Sequence, residues 1–359
     1  MRRLLPLVCL GVLACDDVTP PTPAPESGLF DHPQAVVFVG DRLVVGNTGY
    51  DPADWRPGSL IVLDATDLSF RARILTARDN PQRLVAHAEH LFVVETGVLD
   101  FSDFEAPRAA TPGAIEAFPL DGLEAGGETR LVEVNVGPID FAARADRAVF
   151  SSALINSVWG LDLAQPLGLD GLLGPTPLTP TAPLGLGAVR PWREGFVIVD
   201  FNSDYAHLLS PAGVPTGCRI DLGESDAVEG AQSPFVEGDM LYVILAFAGV
   251  VRRVDLGALS ARCEASVETV VPALGQVPND LHLRGDELYV VHSADNNVVV
   301  YDLADGRERR RYVLNRGANP WHAAFSPDGR LMAVTEWAGQ GVSVFDLASG
   351  QVRRVGAPH

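Results

Sequence analysis

The sequence predicts an all-β chain folded as a single β-propeller, with seven four-stranded blades. Three observations carry this. The composition is rich in turn formers, with 35 glycines and 27 prolines in 359 residues. A motif recurs every ~40–50 residues, the period of a propeller blade. Inside each copy, short β-favouring runs are paired across Gly/Asp turns. A hydrophobic content of 47% against 20% charged residues supplies enough apolar side chain for a substantial core.

The copies align without gaps at HPQAVVFVGDRLVVGN, NPQRLVAHAEHLFVVE, GPIDFAARADRAVFSS, GAQSPFVEGDMLYVIL and VPNDLHLRGDELYVVH. NPWHAAFSPDGRLMAVT needs one extra residue at its turn, and APLGLGAVRPWREGFVIVD about three. The seven starts fall at 32, 80, 137, 182, 230, 277 and 319. Each pair of strands is followed by a third, such as SLIVLDATD, SVWGLDLAQ, NVVVYDLADG or GVSVFDLASG, with hairpin chemistry at its end. A fourth, more polar strand closes the unit, as in RRRYVL and QVRRVG. Four strands per copy distinguish a propeller from a β-helix, whose repeats are much shorter. How the ring closes is left open, because the N-terminal segment offers little for strand exchange with the C-terminal blade.

Ahead of the repeats, Arg2 and Arg3 precede a short apolar stretch from Leu4 to Leu13 and small Ala14. A bilayer span takes roughly 20 apolar residues, so this segment reads as an export signal. Val12-Leu13-Ala14-Cys15 resembles the bacterial lipobox, which implies lipidation of Cys15; an ordinary cleaved signal is the alternative. The Pro-rich stretch after it, DDVTPPTPAPES, reads as a stiff tether. The expected organisation is therefore a signal peptide over 1–14, a lipidated linker over 15–28 and the propeller over 29–359. In an oxidising compartment Cys218 and Cys263 are expected to pair, stapling the fourth blade to the fifth at ~3–4 kcal/mol on the loop-entropy account; two free thiols are the alternative.

The last two blades carry a family resemblance. ANPWHAAFSPDGRLMAVTEWAGQGVSVFDLASGQV, and the Tyr289-Val290-Val291-His292 and Met332-Ala333-Val334-Thr335 segments, resemble the YVTN-type propeller repeats of bacterial and archaeal surface proteins. That resemblance implies the fold and an extracytoplasmic setting, and the lipobox resemblance implies that the chain is held on a membrane at the cell envelope through its N-terminal lipid. The repeat resemblance implies no reaction.

A formal charge of −19 excludes a phosphate-backbone partner on electrostatic grounds, so no nucleic acid is expected. In a propeller the loops entering the first strand and leaving the second share one face, around the channel mouth. Asn47, Glu95, Ser152, Asp200, Leu245, His292 and Thr335 leave the second strands. His32-Pro33-Gln34, Asn80 to Arg83, Asp140, Gln232, Asn279, Asp280, Trp321 and His322 enter the first. Convergent carboxylates, amides and imidazoles suit a ligand site, although polar strand ends equally serve to bond neighbouring loops.

Two longer loops, 46–58 and 95–113, add Tyr50, Trp55, Phe101 and Phe104 among carboxylates. Such a surface suits a partner protein, a glycan or another small molecule. The motifs G-x-S-x-G, H-E-x-x-H, a phosphate loop and C-x-x-C are absent. The expectation is a lipid-anchored propeller that binds a partner protein or ligand at this face without catalysis and without a required cofactor. One alternative is a metal-dependent, lactonase-like hydrolase with Glu95, Asp200 and Asn47 around Ca²⁺ or another divalent cation. The other is a purely structural envelope protein.

Overall fold

The computed structural model describes residues 28–51, 55–103, 107–126, 129–164, 172–177 and 187–356. Among the described residues there are seven four-stranded antiparallel sheets, each a simple meander in chain order. Their first strands are Pro33–Val39, Pro81–His87, Pro138–Arg144, Ala188–Trp192, Ala231–Glu237, Pro278–Arg284 and Pro320–Phe325. Each first strand packs beside the first strands of both neighbouring blades, and the circuit returns from the seventh to the first. These strands therefore form the inner ring of the predicted seven-bladed propeller. In blade two, a small hairpin of Leu99–Asp100 with Arg108–Ala109 is inserted between the second and third strands.

Burial explains why the middle strands read as continuous apolar runs instead of alternating ones. In blade one, Val44, Leu60 and Val62 point towards blade two, while Leu43, Val45, Ile61 and Leu63 point towards blade seven. Both faces of the sheet are covered by neighbours, so neither face of the period-2 pattern is polar. The same arrangement repeats, and seven apolar clusters fill the seven blade-to-blade interfaces. Fourth strands lie at the rim and return to alternation; in Phe70–Leu75 only Ala72 and Ile74 are buried.

Among the described residues the first and last blades meet without exchanging a strand. Blade one is built wholly from residues 33–75 and blade seven wholly from residues 320–356. Their seam is an ordinary interface: Phe30, Val36 and Phe38 pack against Ala333, Val342 and Val344. Thr335 Oγ1 donates to Gln34 O at 2.9 Å, and Arg353 Nη1 donates to Thr66 O at 2.7 Å.

Around the mouth, each blade also fastens to the next through a side chain. The side chains of Gln34 and Gln82 bond each other across blades one and two, and Thr96 Oγ1 donates to Pro138 O at 2.7 Å. Asp140 accepts from Val189 N at 2.9 Å, and Asp204 accepts from Ala231 N at 2.9 Å. Gln232 donates to Pro278 O, and Asp280 accepts from Ala323 N at 3.0 Å. Thr335 completes the circuit. Every interface thus has an apolar cluster in the wall and a polar clasp at the mouth.

The disulfide joins Cys218, on the fourth strand of blade four, to Cys263, in the loop before the fourth strand of blade five; their Cα atoms are 5.4 Å apart. It encloses a sequence separation of 45 residues. Loop entropy then gives it roughly 4 kcal/mol of stabilisation through the unfolded chain. Reduction, or a Cys218→Ser/Cys263→Ser pair, is expected to lower Tm by roughly 5–15 °C while leaving the far-ultraviolet spectrum of the folded chain unchanged. An unchanged melt would show that the link adds nothing to the blade interface it spans.

Candidate functional site

The corner that leads into each first strand is built the same way in six blades. The residue before the strand takes a left-handed backbone: His32 (φ 52°), Asn80 (63°), Gly137 (57°), Gly230 (79°), Val277 (54°) and Asn319 (48°). Its carbonyl accepts from the backbone N–H just past the second strand, at Thr48, Thr96, Ala153, Ala246, Ser293 and Trp337 respectively. Left-handed φ is costly for a β-branched residue such as Val277, and this repeated bond (2.9 Å from Ser293 N) holds it there. In five of the six the next residue is proline, whose absent N–H the ladder does not need at this strand end.

Directly after the corner, the same six first strands carry a β-bulge, seen as a register break between Pro81 and Arg83, Pro278 and Asp280, and their equivalents. A bulge breaks the in–out alternation and re-aims side chains. Consecutive residues therefore face the channel together: Gln82 with Arg83, Asn279 with Asp280, Trp321 with His322. They line a cavity of ≈ 290 Å³ at the mouth.

Its floor is polar. Asp140 is 3.3 Å from Arg83 Nε and 2.7 Å from Arg190 Nη1. Burial works to raise the Asp140 carboxyl, and Arg190 and Arg83 outweigh it and hold it below the usual carboxylate range. Asp280 accepts from Leu281 N (3.0 Å), His282 Nε2 (2.9 Å) and Ala323 N. Burial opposes its ionisation too, and His282 and Arg83 work against that to hold it below the usual carboxylate range. His322 donates from Nδ1 to Gln34 O at 3.1 Å, and burial pushes its pKa down to about 4, leaving a neutral imidazole.

The walls are aromatic: Tyr50, Trp55, Phe101, Phe201, Trp321 and Trp337. Three of these rings lock together, with Tyr50 5.2 Å from Trp55 and 5.3 Å from Trp337, centroid to centroid. His32 lies 4.6 Å from Trp337 and 5.4 Å from Tyr50, so the rings cover the seam between the first and last blades.

Of the residues expected at the mouth, Tyr50, Trp55, Phe101, Asp280, Trp321 and His322 line the cavity. Phe104 and Cys15 lie outside the described residues. The placement of Asn47, Glu95, Asp200 and His292 is corrected: each is at most 1% exposed, and none lines the cavity. They end their second strands one residue short of it, inside the blade walls, where Asn47, Asp200 and His292 bond to neighbouring segments. Asn47 donates to Ser59 Oγ at 3.2 Å, Asp200 accepts from Asn156 Nδ2 at 3.1 Å, and His292 accepts from Gly275 N at 3.1 Å. Burial, first, and the neighbouring Glu116 carboxyl, second, push Glu95 up to about 11, so it is protonated at neutral pH. In blade seven the equivalent of these residues is Glu336, paired with Pro320 as Glu95 is with Pro81, and not Thr335. Among the described residues no group of three or more His, Cys, Asp or Glu side chains is placed to hold a metal ion.

Several lining residues were not singled out from the sequence: Arg190, Phe201, Trp337, Thr48 and Thr96. Four of these sit one position beyond a second-strand end, so moving that alignment column by one residue finds Thr48, Thr96 and Phe201, and by two finds Trp337. Arg190 lies in blade four, where the repeat is most irregular.

No family model matches the chain, and no curated protein matches it. Solved structures do. A streptogramin B lyase is 11% identical with a TM-score of 0.64, covering 86% of this chain and 92% of that one. The β-propeller domain of Cps50 (Swd1) from Myceliophteria thermophila is 10% identical with a TM-score of 0.63, covering 92% and 97%. The computationally designed Ika8 protein is 12% identical with a TM-score of 0.60, covering 92% and 88%. Identities this low bear on the fold alone: the chain is a seven-bladed β-propeller with an aromatic-walled cavity at one face.

Glu95 binds a proton on folding and releases it on unfolding above the ordinary carboxylate pKa, so its burial costs increasing stability as pH rises from about 4 towards 11. Glu95→Gln is therefore expected to match the native Tm near pH 4 and exceed it at pH 8; equal melts at both would show that Glu95 is ionised. His292 and His322, both held neutral down to about 4, act in the opposite direction. Their contribution is present above about pH 6.5 and is lost as pH falls towards 4.

Proposed function

We propose that this chain is a ligand-binding propeller that holds a small organic molecule at its top face without transforming it. In the same reading it is exported and held at a bacterial cell envelope through lipidated Cys15. The observation that carries the binding role is the cavity itself: a closed ring of polar groups beneath six aromatic side chains, a composition suited to small-molecule sites. Its volume of ≈ 290 Å³ is of a size to hold a molecule of one or two rings.

The lining hydroxyls support binding over catalysis. Thr48 Oγ1 donates to His32 O at 3.0 Å, Thr96 Oγ1 to Pro138 O, and Ser233 Oγ to Asn279 O. A hydroxyl committed to a backbone carbonyl is not hydrogen-bonded to a base that would activate it as a nucleophile. The floor carboxylates are likewise occupied in holding blades together.

The test is a tryptophan-fluorescence and calorimetric screen of mono- and disaccharides and of ring-bearing small molecules. Saturable binding is expected. Trp321→Ala should weaken it by about tenfold or more, with Tm moved by less than about 2 °C, because a half-buried ring at the cavity, outside the apolar clusters of the blade interfaces, contributes area to the ligand and little to the core. An affinity indifferent to Trp321 would remove the cavity from the assignment. For the anchor, cells fed labelled palmitate should label the native chain and not a Cys15→Ala variant; equal labelling would defeat the lipidation reading.

A further inference from the structure

The hydrogen-bond inventory of the cavity floor is unbalanced, and the imbalance specifies a ligand class. Two guanidiniums, Arg83 and Arg190, face the cavity with two carboxylates, Asp140 and Asp280. The carboxylates are well supplied: Asp280 accepts at both oxygens, and Asp140 Oδ2 accepts from Val189 N and Arg190 Nη1. The guanidiniums are not. Of the many N–H donors they carry, only Arg190 Nη1 is used among the described residues, towards Asp140 Oδ2 (2.7 Å) and Val189 O (2.6 Å). Arg83 makes no hydrogen bond there; its one partner is the Asp140 carboxylate, 3.3 Å from Nε and out of line for a bond. His322 adds no positive charge, since it is neutral and its Nδ1–H is taken by Gln34 O.

Resting on the ligand-binding reading above, we propose that the occupant is a small organic acid. Its carboxylate takes the open N–H groups of Arg83, and its ring-bearing body lies between Trp321 and the Tyr50–Trp55–Trp337 cluster. A planar carboxylate presents two acceptors to the fork of a guanidinium, the geometry of the strongest such pairs. A cationic ligand would have one spare acceptor, Asp140 Oδ1, already facing Arg83. The net charge of −19 opposes an anion at long range. That field is screened beyond about 8 Å at physiological salt, whereas the Arg83 contact is direct.

Calorimetry with three isosteric probes tests this: naphthylacetate, naphthylacetamide and naphthylethylamine. The acid is expected to bind about tenfold more tightly than the amide, and the amine most weakly. Arg83→Gln should bring acid and amide within about twofold of each other, whereas Trp321→Ala should weaken both by a similar factor. Asp140 keeps Arg190 in the Arg83→Gln variant, and a native-like melt will verify that it is folded. Should it not fold, Arg83→Lys, which keeps the charge and loses the fork, is expected to reduce the preference several-fold. Equal binding of acid and amide by the native chain, or a preference that survives in folded Arg83→Gln or Arg83→Lys, overturns the carboxylate assignment and leaves the cavity reading standing. No binding of any probe overturns both.

Discussion

Everything at the mouth of this propeller depends on a side chain of one blade bonding the backbone of the next. Apolar packing in the walls sets how far apart the blades stand, but it is non-directional. The polar clasps, such as Asp140 to Val189 N, Asp280 to Ala323 N and Thr335 to Gln34 O, fix the register of each inner strand against its neighbour. Because these groups are largely buried, each is costly to leave unpaired, and the ring is held at the one rotation that satisfies all of them together.

The same clasps create the cavity. A left-handed corner followed by a bulge turns consecutive side chains inward, so both members of a pair line the mouth. Either member can reach the next blade: Asp280 accepts from Ala323 N, whereas Gln232 donates to Pro278 O. Apart from Trp321, which stands on a first strand, the aromatic wall comes from loops that leave the second strands, and its rings also cover the seam between the first and last blades. Binding surface and structural cement are separate residues in the wall and overlapping ones in the floor.

Fold and site differed in how far the sequence disclosed them. The seven blades were legible because strand pairs, turns and apolar runs repeat, and the disulfide was legible because an oxidising compartment was expected for the two cysteines of the body, whose places in the repeat named the blades they join. The mouth was legible in outline: Trp321, His322, Asp280, Tyr50, Trp55 and Phe101 are where the alignment puts them. Asn47, Glu95, Asp200 and His292 are not, because being polar at a strand end is equally the mark of a buried loop tie. Periodicity cannot separate the two when a bulge shifts the inward-facing position by one residue. Arg83 and Asp140 stood in the alignment without any sign that they would meet; their pairing is set by the angle between blades, which one sequence does not encode as a motif.

The seam between blades one and seven has a topological consequence. Since no strand of the described residues crosses it, the circle is a sequence of seven equivalent joints, six of them also spanned by peptide. The order of the blades is dictated by complementary surfaces, while the point at which the backbone is interrupted is arbitrary. Linking the native ends and cutting the chain between any two other blades would preserve every clasp and every apolar cluster. A cut between blades four and five would even leave those neighbours covalently joined through Cys218 and Cys263. The architecture is in that sense circularly permutable, with its identity residing in the joints and not in where the polypeptide starts.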